Sequence, residues 1–194
     1  MGLLSPDDSL LVVVDVQPGF LARDWFSESD AAAALTALDR IVWLVALAAR
    51  LGIPVLVTEE EPERNGVTDA RVAERLPAGT PVVRKPTFGL AGTPEILDRV
   101  RQSGRKAVVV VGCETDVCVA QSAIGLRDEG FDCVVVADAT FSPGELHAHG
   151  LERLASAGVA RNHAKGVTYE WLRSVDAARA VLGGPGLPPP PFHL

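Results

Sequence analysis

An α/β fold, with a parallel sheet covered by helices on both faces, is predicted by three observations. Short valine-rich runs recur along the chain. Each run is apolar at nearly every position, as strands buried on both faces are. Stretches with helical spacing separate the runs, the signature of successive βαβ units.

The first run, Leu10 to Val14, stops at Asp15. A helix is expected over Ala31 to Arg50, where Leu35, Leu38, Ile41, Val42 and Val45 share a face and Gly52 offers a C-cap. The second and third runs are Ile53 to Val57 and Pro81 to Val83. The polar segment between them, Thr58 to Ala78, is longer than an ordinary connection and reads as a functional loop. Thr93 and Pro94 open the next helix as N-cap and first helical residue. Ala107 to Val111 is the fourth strand, and a helix over Val117 to Glu129 follows, ended by Gly130. Cys133 to Val136 is the fifth strand. Ser142-Pro143-Gly144-Glu145 has capping-box spacing and opens a helix that runs to about Gly158. A weakly marked sixth strand near Val159 to Asn162 and a helix over Thr168 to Leu182 complete one expected domain, residues 1–182. Residues 183–194 hold four consecutive prolines and read as a flexible tail or a strap across a neighbouring subunit.

The chain has 194 residues, 47% apolar and 22% charged, enough for one domain with a real core. A net charge of −7 argues against nucleic acid and anionic membrane surfaces as partners. No wholly apolar stretch reaches the ~20 residues that span a bilayer, and the first residues lack the basic start of a secretory signal. Three cysteines do not make a disulfide scaffold, so a reducing cytoplasm is the expected setting.

Ligands of open α/β sheets bind beyond the carboxyl ends of the strands, where the strand order reverses. Three strand ends carry reactive groups. The first leads into Asp15-Val16-Gln17, the third into Arg84-Lys85, and the fourth into Gly112-Cys113-Glu114-Thr115-Asp116-Val117-Cys118. Cys118 falls at the opening of a helix, where unpaired N–H groups bias a thiol toward thiolate. In this reading Cys118 attacks a carbonyl, and Asp15 takes the thiol proton and returns it to the leaving amine. Lys85 holds the two anions together and lowers the thiol pKa. Backbone N–H groups of the turn receive the oxyanion.

These motifs, with Lys85-Pro86-Thr87-Phe88 and the final Val119, resemble the isochorismatase-like cysteine hydrolases over roughly residues 8 to 180. The resemblance implies a three-layer, Rossmann-like fold with six parallel strands in the order 3-2-1-4-5-6. It also implies a triad of Asp15, Lys85 and Cys118, a cis peptide at Cys113-Glu114, and oxyanion donors on the backbone N–H of Glu114 and Cys118. Family nicotinamidases hold a metal through histidines placed before the lysine. Residues 58 to 84 contain no histidine, so neither metal nor other cofactor is expected. Family members that cleave a vinyl ether generally lack the cysteine, and Glu114 stands where nicotinamidases commonly carry alanine. The expected activity is hydrolysis of a small amide or related C–N bond. The alternatives are a vinyl-ether hydrolase with Asp15 as acid, or a silent binding module.

Phe20, Trp25 and Phe88 are expected either as an apolar wall around a small-molecule substrate or as core. Gln17 and Thr115 either position polar atoms or tie down the turn. Glu60 and Arg64 lie in the long loop, within reach of a ligand, but read first as a solvated charge run. His147 and His149 point to different faces and make a poor metal pair, with no catalytic role expected for His147. Cys113 and Cys133 read as core. A homo-oligomer, dimer or larger, is expected from the resemblance, with Trp171 exposed and the tail available for it.

Overall fold

The computed structural model describes residues 2–193; Met1 and Leu194, the outer ends of the expected domain and tail, lie outside the described residues. Six strands form one sheet: β1 (Ser9–Val14), β2 (Val55–Glu59), β3 (Val82–Arg84), β4 (Ala107–Cys113), β5 (Asp132–Phe141) and β6 (Ala160–Asn162). All neighbours run parallel in the order 3-2-1-4-5-6, so the weakly marked sixth strand is present. The helices are α1 (Pro18–Leu21), α2 (Glu28–Leu51), α3 (Pro62–Asn65), α4 (Ala70–Ala73), α5 (Pro94–Gln102), α6 (Ala120–Asp128), α7 (Leu146–Ser156), α8 (Ala164–Leu172) and α9 (Val175–Leu182).

Two apolar layers sandwich the sheet. Leu11, Val13, Val109 and Val111 face α2 and α8, whereas Leu10, Val12, Val14, Val108 and Val110 face α5 and α6. Each buried valine or leucine contributes about 1.5–3 kcal/mol relative to exposure, which is why β1 and β4 lie at the centre. α2 starts earlier than expected because Ser27 and Asp30 form a capping box, and Gly52 closes it in the left-handed conformation at φ 69°. By length and composition α2 passes the test for a membrane-spanning helix. Most of its apolar window, 61%, is buried inside the fold, as in a core helix.

Several expectations are corrected. The single helix over Thr168 to Leu182 is two helices, because Arg173 turns left-handed at φ 64° and Ser174 caps α9. The Ser142 capping box does not form. The Ser142 hydroxyl donates instead to Asp116 Oδ1 at 2.6 Å, and α7 begins only at Leu146. Trp171 is buried, its indole N–H donating to Ser9 Oγ at 3.0 Å. Within the proline-rich segment, Phe192 packs edge-on against Trp43, with centroids 5.7 Å apart, so this part of the tail is packed and not free. The long connection after β2 contains α3 and α4.

Candidate active site

The strand order reverses between β1 and β4, and the chain leaves both strands there under tight constraint. Gly112 sits at φ 127°, and a Cβ on it would fall 2.0 Å from the Val14 carbonyl oxygen, so only glycine lets β4 pass β1 this closely. Asp15 follows β1 in the left-handed region at φ 49°, a conformation aspartate tolerates better than most residues. The Cys113–Glu114 peptide is cis. One wide helical turn, Thr115–Val119, then leads into α6 and carries Cys118.

Asp15, Lys85 and Cys118 meet at this edge. Lys85 Nζ lies 2.9 Å from Asp15 Oδ2 and 3.6 Å from Cys118 Sγ, and it donates to the Thr87 carbonyl oxygen at 2.7 Å. Asp15 and Lys85 are fully buried, and Cys118 is 3% exposed. Thr58 Oγ1 donates to Asp15 Oδ1 at 2.8 Å. Burial pushes the Asp15 carboxyl up, opposed by Lys85 and Thr58. Burial alone would lower Lys85, but the charges of Asp15, Cys118 and Glu60 outweigh it and hold the ammonium protonated.

The Cys118 thiol is shifted in the direction opposite to the expected bias toward thiolate. Burial raises it, Asp15 and Glu60 raise it further, and Lys85 opposes them without prevailing. N–H groups at a helix start and one lysine favour thiolate, whereas desolvation and a second carboxylate oppose it.

Glu60 is that second carboxylate, and it corrects the reading of a solvated charge. Cys118 Sγ donates to Glu60 Oε2 at 3.3 Å, and Lys85 Nζ stands 3.6 Å from the same oxygen. Asp15, Glu60 and Cys118 bring their donor atoms within 4.8 Å of one another, a set able to ligate a metal. The Lys85 ammonium contacts all three and already supplies the positive charge such a set would attract. Glu60 also lines a hollow of about 340 Å³ with Lys85, Phe88, Arg64 and Arg84. Cys118 is not on its wall. Arg64 is therefore at the mouth, as Phe88 is, with Phe88 54% exposed.

The other candidates scatter. Gln17 is spent on the loop: its Nε2 donates to the carbonyls of Glu60 and Gly66, and its Oε1 accepts the Glu60 N–H at 2.8 Å. Phe20 is core, packed with Ala34, Ala37, Cys113 and Phe141. Trp25 is 63% exposed and leans on Phe26 and the Arg23 guanidinium, away from the hollow's lining. Thr115 is buried, and its hydroxyl pairs with His147 Nδ1 at 2.9 Å. His147 thus braces the turn that carries Cys118, and burial lowers its pKa. It also lines a second cleft of about 410 Å³ that contains no cysteine or lysine.

The Isochorismatase domain model matches residues 9–164. Isochorismatase family protein 1A of Dictyostelium discoideum is 25% identical over 177 residues, covering 89% of this chain and 82% of that protein. The YcaC gene product of Escherichia coli, described as an octameric hydrolase of unknown specificity, superposes with a TM-score of 0.82 at 25% identity, over 94% of this chain and 88% of that one. YcaC from Pseudomonas aeruginosa, solved with hexane-2,5-diol and covalent acrylamide, superposes with a TM-score of 0.79 at 25% identity, over 93% and 90% of the two chains.

Proposed function

This chain belongs to the isochorismatase family of hydrolases, and within it we propose a metal-independent cysteine hydrolase that cleaves a small amide or related C–N bond through a thioester on Cys118. The observation that carries the reading is the convergence of three strand ends on one buried contact set, Asp15–Lys85 at 2.9 Å and Lys85–Cys118 at 3.6 Å. A buried ammonium beside a thiol serves the state in which sulfur becomes negative, so its effect grows as the reaction proceeds.

In this reading the substrate enters the hollow and its carbonyl reaches Cys118 Sγ. The thiol gives its proton to Asp15 as the Sγ–C bond forms, Asp15 later returns it to the leaving nitrogen, and Lys85 stabilises the charge on sulfur. The backbone N–H groups of Glu114 and Cys118 receive the oxyanion. Loss of ammonia or an amine leaves a thioester, which water cleaves to the acid and free thiol. The covalent acrylamide in the P. aeruginosa protein is in keeping with a strong nucleophile on this fold. The octameric E. coli protein supports assembly of this chain with copies of itself. The reading takes residues 1–182 as one hydrolase domain and, on its three unpaired cysteines, a cytoplasmic setting.

The test is acylation. Incubation with 4-nitrophenyl acetate, followed by peptide mass spectrometry, is expected to place an acetyl group on Cys118 and none on Cys113 or Cys133. Cys118→Ala is expected to abolish the adduct and nitrophenol release, a loss above about 1000-fold, with an unchanged circular-dichroism spectrum. Full release from the folded Cys118→Ala protein would end the reading.

A further inference from the structure

The cations around the site are matched by carboxylates, with one exception. Lys85 stands 2.9 Å from Asp15 and 3.6 Å from Glu60. Arg84 forks onto Glu63, and Arg64 faces Glu61 at 3.7 Å. Arg23 has no such partner. Among the described residues no carboxylate stands within ion-pairing distance of it. Its Nε is shut off from solvent and donates no hydrogen bond.

Two aromatic rings take the place of an anion. The guanidinium carbon lies 5.6 Å from the Phe20 ring centroid and 6.0 Å from that of Trp25. The ring faces attract the cation and strip water from it, yet they accept nothing from N–H groups that point outward in the guanidinium plane. Phe20 is fixed in the core against Cys113 and Phe141, so the cation rests on a rigid floor. Arg23 as a whole is half-buried, which leaves its terminal nitrogens as the open end.

That open end belongs to the edge of the sheet where the thiol lies. Arg23 follows α1, and α1 packs through Phe20 on Cys113, the last residue of β4. Burial raises the carboxyl of Glu114, the next residue, and the Arg23 charge opposes that shift. Glu60 acts on the same carboxyl from the side of the hollow. A substrate that passes Glu60 and is held at its carbonyl by the Glu114 turn therefore has Arg23 on its far side.

We propose that Arg23 is a specificity residue that receives an anionic group at the end of the substrate's acyl part, so that the amide cleaved is one whose acyl chain carries a carboxylate. The assignment rests on the hydrolase reading above and adds a substrate class to it. A carboxylate on the open end forms a two-pronged, charge-assisted pair that a neutral group cannot form. Arg23 touches no reacting atom. It selects which molecule is presented to Cys118.

The probes are 4-nitrophenyl esters of adipic and pimelic acid, each with the far carboxyl either free or as its methyl ester. Members of a pair bring the same acyl length to Cys118 and differ in charge. Acylation of Cys118 is followed by nitrophenol release and peptide mass spectrometry. For at least one length, the wild-type second-order rate is expected to be at least about tenfold higher with the free carboxylate. In Arg23→Gln that ratio is expected to fall at least about fivefold, with the methyl-ester rate unchanged within about twofold. Arg23→Lys, which keeps the charge and loses the planar fork, is expected to fall between the two and serves if Arg23→Gln does not fold. A wild-type ratio at or below one for both lengths overturns the proposal. So does a ratio that folded Arg23→Gln keeps, including the case where both rates drop together because Arg23 merely supports the turn. Failure of the underlying reading looks different: no ester of either charge then acylates Cys118 in the wild-type protein.

Discussion

Cys118 and Cys133 lie in the same apolar layer at opposite edges of one sheet, and they are nearly equal in burial, at 3% and 5% exposed. Both thiols are pushed up, Cys133 to about 12 by burial and the neighbouring Asp132. Burial and acidity therefore do not separate the proposed nucleophile from a packing cysteine. Contacts do. Cys118 touches an ammonium and a carboxylate that reaches a hollow, whereas Cys133 opens β5 at the amino-terminal edge, near Asp132 and Arg127. A static thiol pKa describes the resting state; the charges aimed at the sulfur act once its proton leaves.

The largest effect that tests this contrast is the removal of Lys85. Lys85→Ala leaves Asp15 buried without its counter-ion, which costs about 3–5 kcal/mol. The expected result is a lower urea midpoint at unchanged m-value together with loss of Cys118 acylation. Replacing both partners, as Asp15→Leu with Lys85→Met, is expected to recover most of the stability and none of the acylation. A Lys85→Ala protein within about 1 kcal/mol of wild type would mean that water already solvates the cluster, and the contrast with Cys133 would lose its physical basis.

The parts of the site legible in the sequence are those where an apolar strand run stops at a reactive residue. Asp15 and Lys85 each directly follow a strand, β1 and β3, and Cys118 follows β4 by one turn. β1 and β4 are buried throughout, whereas β3 is a short edge strand with only Val83 buried, yet its apolar run still marks where it ends. Glu60 obeys the same rule, directly after β2, but the polar run Glu59-Glu60-Glu61 hides that strand end. The expected strand stopped at Val57, two residues short, so the carboxylate fell into a loop. For Phe20 and Gln17 the sequence left two alternatives open, and the structure shows core packing for the first and loop anchoring for the second. Nearness in sequence to Asp15 says nothing of direction, and α1 turns Phe20 inward onto α2 and β5. Tail packing and the break at Arg173 depend on local conformation that residue types alone do not specify.

A second test reads the two cysteines through alkylation. Because the Cys118 thiol is raised, its iodoacetamide rate is expected to climb about tenfold per pH unit through pH 9, with no plateau near the free-thiol value of about 8.5. Cys118 is nonetheless expected to label at least about tenfold faster than Cys133, since Cys118 touches Glu60, which lines the hollow. A plateau below about pH 8 would show that Lys85 outweighs both carboxylates and would restore the thiolate expected from the helix-start argument. Equal labelling of the two cysteines would show that the hollow gives the sulfur no access.

The smallest effect concerns Cys133 alone. Burial, and then the neighbouring Asp132, push its thiol in the folded protein up to about 12, above the ordinary thiol range. A group raised on folding contributes stability that is fully present below the unfolded value and is lost as pH rises through the folded one. Between about pH 9 and 12 the unfolded chain has lost the proton and the folded chain keeps it, so stability falls by about 1.4 kcal/mol per pH unit from this thiol. Other groups titrating in that range contribute to both proteins and cancel in a comparison of wild type with Cys133→Ala. The variant is expected to be slightly less stable at pH 7, through a lost contact, yet to decline less steeply above pH 9. Plotted against pH, the urea-derived stabilities of the two proteins should therefore converge. Parallel curves would mean that the Cys133 thiol ionises in the folded state as readily as in the unfolded one, and the two cysteines would then differ in burial after all.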